Sequence, residues 1–307
     1  MHPFRFGVTA SWAASADEWT GLARRAESLG YATLLIADHL GRQLSPMPAL
    51  TAAALATTRL RVGSYVFAND YRHPLMLATE AATLDILSGG RLELGLGAGW
   101  NQRDYRMLGY PYEAPGRRID RLEESLPLIA RLLAGETVDH EGPRYAMRGA
   151  VLSARPVQSP RPPIMVGGGG PRLLRIAARE ADIVAMQPQF DPQGRPMIRQ
   201  GTEGATERKV AIVREAAGGR FERLELNVVL GDAGLVGNGA PLSASLLAAA
   251  KAVATGVLAS PYVLYGTVDG IRQQLLRRRD HLGISYYVLP RRTMETMAPI
   301  VDALTGR

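Results

Sequence analysis

The sequence predicts an α/β fold made of one (β/α)8 barrel, a TIM barrel with small insertions, across residues 1–307. Short β-rich apolar runs alternate with longer segments of helical periodicity. This alternation is the pattern of repeated βα units rather than of separate α and β domains. A chain of 307 residues suits a single barrel that carries an insertion or two. Because no Pro- or Gly-rich linker separates two halves, we expect a single domain.

The first half of the chain supplies four βα units. Residues 4–10 are predicted as the first strand, after which Ser15 and Glu18 form a capping box that starts a helix. Gly30 ends that helix. The other elements predicted here are strands at residues 33–37, 61–67 and 91–97, and helices that start near residue 48 and cover residues 74–88.

The second half completes the barrel and carries the insertions. A Gly142-Pro143 turn predicts a hairpin insertion near residues 137–148. Residues 187–206 are polar, rich in Gly, Pro and Arg, and too long for a plain connection, so we expect a long loop on the substrate side of the barrel. The other elements predicted here are strands at residues 163–166, 182–186, 224–230 and 286–289, and helices at residues 117–134 and 171–180.

Composition excludes several kinds of site. The chain has no cysteine, which rules out disulfides, thiolate metal sites and cysteine nucleophiles. Its five histidines form no His-x-His pair and have no carboxylates at ligand spacing in the sequence, so we expect no metal. The net charge of +7 comes almost entirely from Arg. It indicates either an evenly basic surface or an attraction for anionic ligands such as phosphorylated cofactors.

No segment of the sequence points to a nucleic acid or a membrane as partner. No Arg cluster is interleaved with aromatic residues or belongs to a recognisable nucleic-acid-binding module. Residues 1–7 lack a basic region followed by an apolar stretch, and the most apolar window, residues 244–259, is interrupted by Lys251 and Gly256. We therefore expect a cytoplasmic protein whose partner is a small-molecule substrate.

Asp38 and His39 directly follow the second predicted strand. Functional groups of a barrel gather where its strands end, because the βα loops at that face vary without disturbing the core. The imidazole offers a proton donor and acceptor near neutral pH, and the carboxylate can hold its neighbour or a ligand amide in place. The alternative is a polar pair that ends the strand and caps the next turn.

The third strand leads into a segment, residues 63–74, that is dense in aromatic and hydrogen-bonding groups. The segment contains Tyr65 and Val66. It either forms the wall of a pocket for a ring-shaped ligand or is an ordinary strand followed by a polar turn.

Glycines alternate where the fourth strand ends, at Gly95, Gly97 and Gly99. Alternate glycines remove side chains from the end of a strand, so that the backbone can approach a flat ligand closely. The pattern resembles a Rossmann glycine motif only superficially, since no suitable helix follows at once and no acidic residue lies on a second strand.

Four consecutive glycines, Gly167, Gly168, Gly169 and Gly170, connect the fifth strand to a helix that begins with Pro171. Free amides at such a helix start favour an anion, and consecutive glycine amides can form an anion-holding nest. Arg172 or Arg175 can supplement the positive charge. The alternative is a flexible turn.

Together these segments resemble the luciferase-like monooxygenase superfamily, in particular its deazaflavin-dependent oxidoreductases, which use coenzyme F420. The resemblance covers nearly the whole chain. As a set the segments are specific for the superfamily, and they are less specific for which flavin is bound. The residues that carry the resemblance are Asp38-His39-Leu40 and residues 58–63, 71–74, 82–91, 95–100 and 166–172.

The resemblance implies where a flavin-type ring lies. In that family the ring lies over the barrel mouth, braced by a bulged third strand with a non-proline cis peptide bond, which by position is Tyr65-Val66 here. His39 is implied to donate or accept a proton beside the ring. The remaining implied contacts are to the ring system from Asp38, Gly97, Ala98 and Gly99, and to the phosphate from Gly167, Gly168, Gly169 and Gly170.

The resemblance also implies an activity, hydride transfer between coenzyme F420 and a small organic substrate. Two alternatives stay open: an FMN-dependent luciferase-like monooxygenase, and a non-catalytic flavin-binding protein. Trp100 stands where some sugar-phosphate dehydrogenases of the family have an acidic residue, which puts sugar-phosphate oxidation in doubt. A homodimer is a further family expectation.

Overall fold

A closed ring of eight parallel strands forms the centre of the molecule. The structure, a computed structural model, describes residues 1–188, 197–235 and 260–307. Its strands, in chain order, are β1 Arg5–Thr9, β2 Thr33–Ile36, β3 Arg61–Ser64, β4 Phe67–Ala68, β5 Leu92–Gly97, β6 Val138–Glu141, β7 Ala146–Ala150, β8 Ile164–Gly168, β9 Ile183–Met186, β10 Glu225–Val229, β11 Asp232–Leu235, β12 Val263–Gly266 and β13 Ile284–Pro290.

The strand order closes the barrel. Neighbouring strands pair in the order β3-β2-β1-β13-β10-β9-β8-β5, and β5 returns to pair with β3. All of these pairings are parallel. The (β/α)8 barrel predicted from the alternation of apolar runs is therefore confirmed.

Helices cover the outside of this barrel. They are α1 Ala16–Ser28, α2 Pro46–Leu55, α3 Pro74–Leu87, α4 Gln102–Leu108, α5 Pro115–Leu133, α6 Pro171–Glu180, α7 Glu203–Ala217, α8 Val268–Leu282 and α9 Met294–Leu304. In the described part of the chain, none of the helices has the length and the apolar character that crossing a membrane requires.

Helix α1 begins as the sequence predicts. The Ser15 hydroxyl accepts a hydrogen bond from the Glu18 amide at 3.1 Å, and the Glu18 carboxylate accepts one from the Ala14 amide at 2.7 Å. Both bonds satisfy amides that a helix start would otherwise leave unpaired. The apolar stripe then packs Trp19 and Leu22 into the core.

The third strand is interrupted where a single strand over residues 61–67 was predicted. The peptide bond between Tyr65 and Val66 is cis, as the family resemblance implies. It divides the segment into β3 and the short β4, which pairs with the end of β5. The Tyr65 side chain then lies among the apolar side chains of the barrel interior, next to Met165 and Tyr286.

Other elements differ from the prediction mainly in extent. The hairpin insertion is present as the antiparallel pair β6 and β7. The last barrel strand, β13, is longer than the predicted 286–289 because buried residues extend it in both directions. Helix α7 begins at Glu203, so the end of the expected loop at 187–206 is helical, and residues 189–196 of that loop lie outside the described residues.

Several elements were not predicted, among them helices α7, α8 and α9. A short helix, α4, follows β5, and a two-stranded parallel sheet of β11 and β12 lies beside the barrel. Between these two strands, residues 236–259 lie outside the described residues.

Paired charges close the N-terminal end of the barrel. Arg5, at the start of β1, donates to the two carboxylate oxygens of Glu225 at 2.7 and 2.5 Å and also contacts Glu93. Arg61 donates to Glu93 at 2.8 Å. Burial acts to raise the pKa of Glu93, but the charges of Arg5 and Arg61 outweigh it and hold that pKa below its usual value. Charge at this end of the molecule is matched within the protein.

Candidate functional site

A cavity of about 780 Å³ opens at the C-terminal ends of the barrel strands. All of the predicted site residues line it, although they come from separate segments of the chain. They are Asp38, His39, Tyr65, Val66, Gly97, Ala98, Gly99, Gly167, Gly168, Gly169 and Gly170. The structure adds side chains that the sequence did not mark, among them Tyr112, Arg118, Ile119, Leu173 and Gln187.

A buried carboxylate orients His39. Nδ1 of His39 lies 2.8 Å from Oδ2 of Asp104, and Oδ1 of the same carboxylate accepts the Leu40 amide at 3.2 Å. Asp104 is fully buried on α4, whereas a third of the His39 side chain is exposed. Since a carboxylate only accepts hydrogen bonds, Nδ1 carries the proton, and Nε2 is the ring nitrogen left for a ligand.

Asp104 was missed by sequence reasoning. It lies 65 residues from His39 along the chain, within a segment that carries no recognisable signature. A neighbouring contact supports the same ring orientation, because the Trp100 ring meets His39 edge-on at 5.4 Å between centroids. Only the fold brings the acidic residue of α4 beneath a histidine that follows β2.

Asp38 has a different environment from its neighbour. Its Oδ2 accepts hydrogen bonds from Arg72 at 2.6 Å and from the Ala68 amide at 3.1 Å. The Arg72 guanidinium in turn lies 4.7 Å from the centre of the Phe67 ring. The carboxylate therefore braces the segment after β4, while the residue lines the cavity.

The alternate glycines of β5 make room for protein atoms. A methyl group at Gly97 would lie 2.7 Å from Cγ2 of Val66, and one at Gly167 would lie 3.1 Å from its Cγ1. A methyl group at Gly95 would overlap the Ser64 carbonyl. The sequence suggested that these glycines let the backbone approach a ligand. The structure adds a second reason, because the Val66 side chain lies between Gly97 and Gly167, while both glycines also line the cavity.

Gly99 has a requirement of its own. Its φ is +72°, a conformation that residues with a side chain rarely adopt, and a methyl group there would overlap the Tyr105 hydroxyl. The same backbone is held from the other side, because the Arg118 guanidinium donates to the Gly99 carbonyl.

The four glycines at the end of β8 and directly after it do not form the predicted nest. A nest alternates right- and left-handed backbone conformations, and none of these residues is among the described glycines with positive φ. Gly167 and Gly168 end β8, and Gly170 is the N-cap of α6. No side chain caps this helix, so the amides of its first turn are what the site offers to an anion.

The predicted cationic support for that anion site is also wrong. Arg172 forms ion pairs with Asp120 at 2.7 Å and with Glu123 at 2.8 Å, both on α5. Neither Arg172 nor Arg175 lines the cavity. Two carboxylates on the neighbouring helix draw Arg172 to the outer surface, which no local pattern in α6 reveals.

Arg118 is a cation of the cavity wall. Besides Gly99, it donates to the Glu113 carbonyl at 3.1 Å and to the Tyr112 hydroxyl at 3.3 Å, and its guanidinium lies 4.4 Å from the centre of the Tyr112 ring. It is 4% exposed. These contacts make Arg118 a clamp between α5 and the end of β5.

The floor of the cavity is polar and fully paired. The Tyr65 hydroxyl donates to Oδ1 of Asn227 at 2.8 Å, and the Asn227 amide donates to the Tyr286 carbonyl at 3.2 Å. Burial raises the pKa of Tyr65, although the nearby Gln187 side chain acts against the shift. Tyr65 is therefore a neutral phenol at physiological pH.

Away from the cavity, one surface cluster has the composition of a metal site. In the described part of the chain, carboxylates of Glu203 and Glu207 approach His281 so that their ligand atoms lie within 4.8 Å of one another. His281 Nε2 is 2.8 Å from Glu207, and both side chains are exposed. The sequence predicted no metal, whereas these three side chains lie close enough together to hold a metal ion.

Comparison with known proteins places the chain in a family. The family model described as luciferase-like monooxygenase matches residues 1–219. The chain belongs to the luciferase-like monooxygenase family. The predicted resemblance is thus confirmed, and the barrel, the cis peptide bond and the cavity described above belong to a member of this family.

Among curated relatives of this luciferase-like protein is an F420-dependent glucose-6-phosphate dehydrogenase of Microbacterium testaceum (strain StLB037). It is 33% identical over 201 residues, which cover 62% of this chain and 59% of that protein. The match therefore spans less than two thirds of the relative's length.

Solved structures show the same fold at low identity. The coenzyme F420-dependent tetrahydromethanopterin reductase of Methanopyrus kandleri superposes with a TM-score of 0.76 at 20% identity, covering 99% of this chain and 100% of that chain. A monooxygenase of Streptomyces bottropensis superposes with a TM-score of 0.76 at 22% identity, covering 97% and 99%. The fold is common to both kinds of enzyme and does not separate them.

Proposed function

We propose that this protein is an oxidoreductase that transfers a hydride between coenzyme F420 and a small organic substrate. The observation that carries the proposal is the His39–Asp104 pair, which directs one ring nitrogen into a large cavity at the catalytic face of a luciferase-like barrel. The names of relatives such as the Microbacterium testaceum enzyme support the choice of cofactor.

The residues of the cavity fit such a cofactor. Val66 and the glycines on either side of it offer a flat wall without projecting side chains. The uncapped first turn of α6 offers amides to a phosphate at the cavity edge. When bound, the deazaflavin supplies the hydride carrier, and the protein supplies orientation and a proton partner.

His39 is assigned the proton transfer. With its Nδ1 proton held by Asp104, Nε2 can accept a proton from a substrate hydroxyl during oxidation or, once protonated, return it during reduction. The buried carboxylate fixes the tautomer and stabilises the imidazolium that forms. Replacing Asp104 with Asn keeps the shape but weakens both effects, so turnover should fall between that of the wild type and that of a His39→Ala variant.

The runner-up is an FMN-dependent luciferase-like monooxygenase. Reduced FMN reacts readily with oxygen, whereas a reduced deazaflavin barely does. We would therefore titrate the apoprotein with F420 and with FMN by fluorescence at fixed salt, and then follow reoxidation of the bound cofactor under air. Preference for FMN with fast reoxidation would replace the proposal with the monooxygenase.

A non-catalytic flavin-binding protein is the remaining alternative. A protein that stores a flavin has no use for a buried carboxylate that orients an exposed imidazole. Tight cofactor binding without turnover across a substrate screen of alcohols, ketones and enones, under both oxidising and reducing conditions, would favour it.

Assembly and location are part of the proposal as well. Helices α2 and α3 expose apolar side chains at Leu55, Met76 and Leu87, which would be covered in a homodimer. Light scattering coupled to size-exclusion chromatography measures the mass, and a monomer at micromolar concentration would contradict the dimer. We further propose that the enzyme acts in the cytoplasm on a small-molecule substrate.

A further inference from the structure

Lys209 is a buried cation that contacts Gln187, a residue of the cavity wall, and that the proposed chemistry does not use. It lies on α7 and is 3% exposed. Its ammonium group donates to the Gln187 carbonyl at 2.7 Å, to the Gln200 carbonyl at 2.8 Å and to the Tyr262 hydroxyl at 3.2 Å. These three acceptors belong to three different segments, so a single side chain joins them.

The environment of Lys209 lacks a matching anion within the described residues. Burial lowers its pKa to about 8, and no carboxylate opposes that shift there. The polar groups that face it are the two carbonyls and the Tyr262 phenol, whose own pKa burial raises. A buried lysine that is held by neutral acceptors is costly for stability. Its presence therefore calls for a reason other than stability.

Gln187 connects this lysine to the cavity. It directly follows β9 and lines the cavity, and its backbone amide donates to the Gly168 carbonyl at 3.0 Å. Its side chain is near enough to the Tyr65 phenol to influence the pKa of that phenol, and its Nε2 would lie 3.7 Å from a methyl group built at Gly167. The position of the Gln187 backbone thus decides whether its side chain reaches the cavity floor.

We propose that Lys209 is a positioning residue that fixes the end of β9 through the Gln187 carbonyl and so keeps the Gln187 side chain against Tyr65 in the cavity wall. The inference rests on the proposed function where it is tested by F420 binding and turnover. Where it is tested by hydrogen exchange in the protein without cofactor, it does not depend on that function.

The same strand offers a matched control at its other end. Arg220 donates to the carbonyls of Ala178 and, at 2.8 Å, Ala181, just before β9 begins. It is also a cation held by backbone carbonyls, but it acts at the end of β9 that is distant from the cavity. If these cations only supported β9 in general, replacing either Lys209 or Arg220 would weaken cofactor or substrate binding. If Lys209 positions Gln187, only its replacement would do so.

The experiment compares the wild type with Lys209→Met, Lys209→Arg and Arg220→Met. We expect Lys209→Met to raise the F420 Kd or the substrate KM roughly tenfold, which is the usual scale for a lost hydrogen bond to a charged donor, with a smaller change in kcat. Arg220→Met should stay within about twofold, and Lys209→Arg should recover part of the loss because it keeps charge and donors. If Lys209→Met does not fold, Lys209→Gln is tested by the same criteria.

Hydrogen exchange in the protein without cofactor separates this inference from the proposed function. Peptides spanning residues 183–188 should exchange faster in Lys209→Met than in the wild type, and Arg220→Met should affect residues 178–182 instead. Unchanged exchange at 183–188, or equal losses of binding in Lys209→Met and Arg220→Met, would overturn the positioning role. Failure of the wild type to bind F420 would overturn the proposed function and leave the exchange result decisive for Lys209.

Discussion

At the N-terminal end of the barrel, the carboxylate of Glu93 is surrounded by Arg5 and Arg61 and is 1% exposed. At the C-terminal end, His39 is a third exposed above the buried carboxylate of Asp104. Both ends contain a buried acid with a basic partner. They differ in exposure, since His39 alone presents a ring nitrogen to the cavity, and the proposed function places the chemistry at that end.

The largest expected effect tests the chemical end. Replacing His39 with Ala should lower kcat by roughly 10² to 10⁴, the usual contribution of a positioned acid or base, because Nε2 is removed from the cavity. Cofactor Kd should change little, whereas thermal stability should fall, because the buried Asp104 carboxylate then keeps only the Leu40 amide as its partner among the described residues. Steady-state kinetics and fluorescence titration measure the two quantities.

His281→Ala is the control for that experiment. It removes a histidine that is also paired with a carboxylate, Glu207, but lies on the outer surface. Turnover should stay at the wild-type value. Equal losses of cofactor binding and turnover in His39→Ala would remove His39 from the role of proton partner.

The next largest effect tests the structural end. Glu93→Gln removes a buried carboxylate shared by two partly buried guanidinium groups and leaves Arg5 with Glu225 alone, and we expect about 3–5 kcal/mol less unfolding free energy. Urea unfolding measures it. The kcat and the F420 Kd of the folded protein should stay close to wild type, because these charges lie at the opposite end from the cavity.

An exposed ion pair provides the comparison for Glu93. Arg25 and Glu295 are 2.6 Å apart, and about half of each side chain is exposed. Glu295→Gln should lower the unfolding free energy far less than Glu93→Gln does, because solvent screens an exposed pair. If the two variants lose the same stability, burial is not what makes the charge cluster important.

A smaller effect tests how the cavity wall is built. Gly97→Ala places a methyl group 2.7 Å from Val66, so the segment after the cis peptide bond must move. We expect a loss of about 1–3 kcal/mol in unfolding free energy, typical of overpacking, together with weaker cofactor binding. Gly21→Ala on α1 is the control, because its methyl group meets nothing within 4 Å and should be neutral or stabilising.

Sequence reasoning predicted the barrel and many of the residues that line the cavity at its strand ends, because both depend on local signals. Apolar runs of strand length mark the eight strands, and Gly or an Asp-His pair marks where several of them end. In a closed parallel barrel those ends must meet at one face. Once the strands are placed, the cavity follows from the topology.

The partners of these residues were not predictable, since they depend on contacts between distant segments. Asp104 lies on a short helix with no apolar stripe of its own, and Arg172 turns toward acids on α5. The role of each glycine was ambiguous in the sequence, because a glycine can make room for a ligand or for a side chain such as Val66. Only the three-dimensional structure distinguishes the two roles. Lys209 carries no motif at all.

The smallest expected effect comes from comparing two cations, Arg5 and Lys209. Arg5 is matched by two carboxylates, whereas Lys209 is held by neutral acceptors and burial lowers its pKa to about 8, below the ordinary 10.5. Between these two values the unfolded chain binds more protons than the folded one, so unfolding free energy rises with pH in that window. This gain in unfolding free energy is complete above about pH 10.5 and is lost as the pH falls through 8.

Urea unfolding at pH 7 and pH 9 tests this for the wild type and Lys209→Met. The wild type should gain roughly 1 kcal/mol relative to the variant over that interval, from the linkage of one group whose folded pKa is lowered. Arg25→Met should show no such pH-dependent difference, because this arginine stays charged at both values and its partner Glu295 is exposed. A difference between the wild type and Lys209→Met that is constant with pH would mean that Lys209 keeps an ordinary pKa in the folded protein. The charge of Lys209 would then cost the folded protein no more free energy than the charge of Arg5 does at the opposite end.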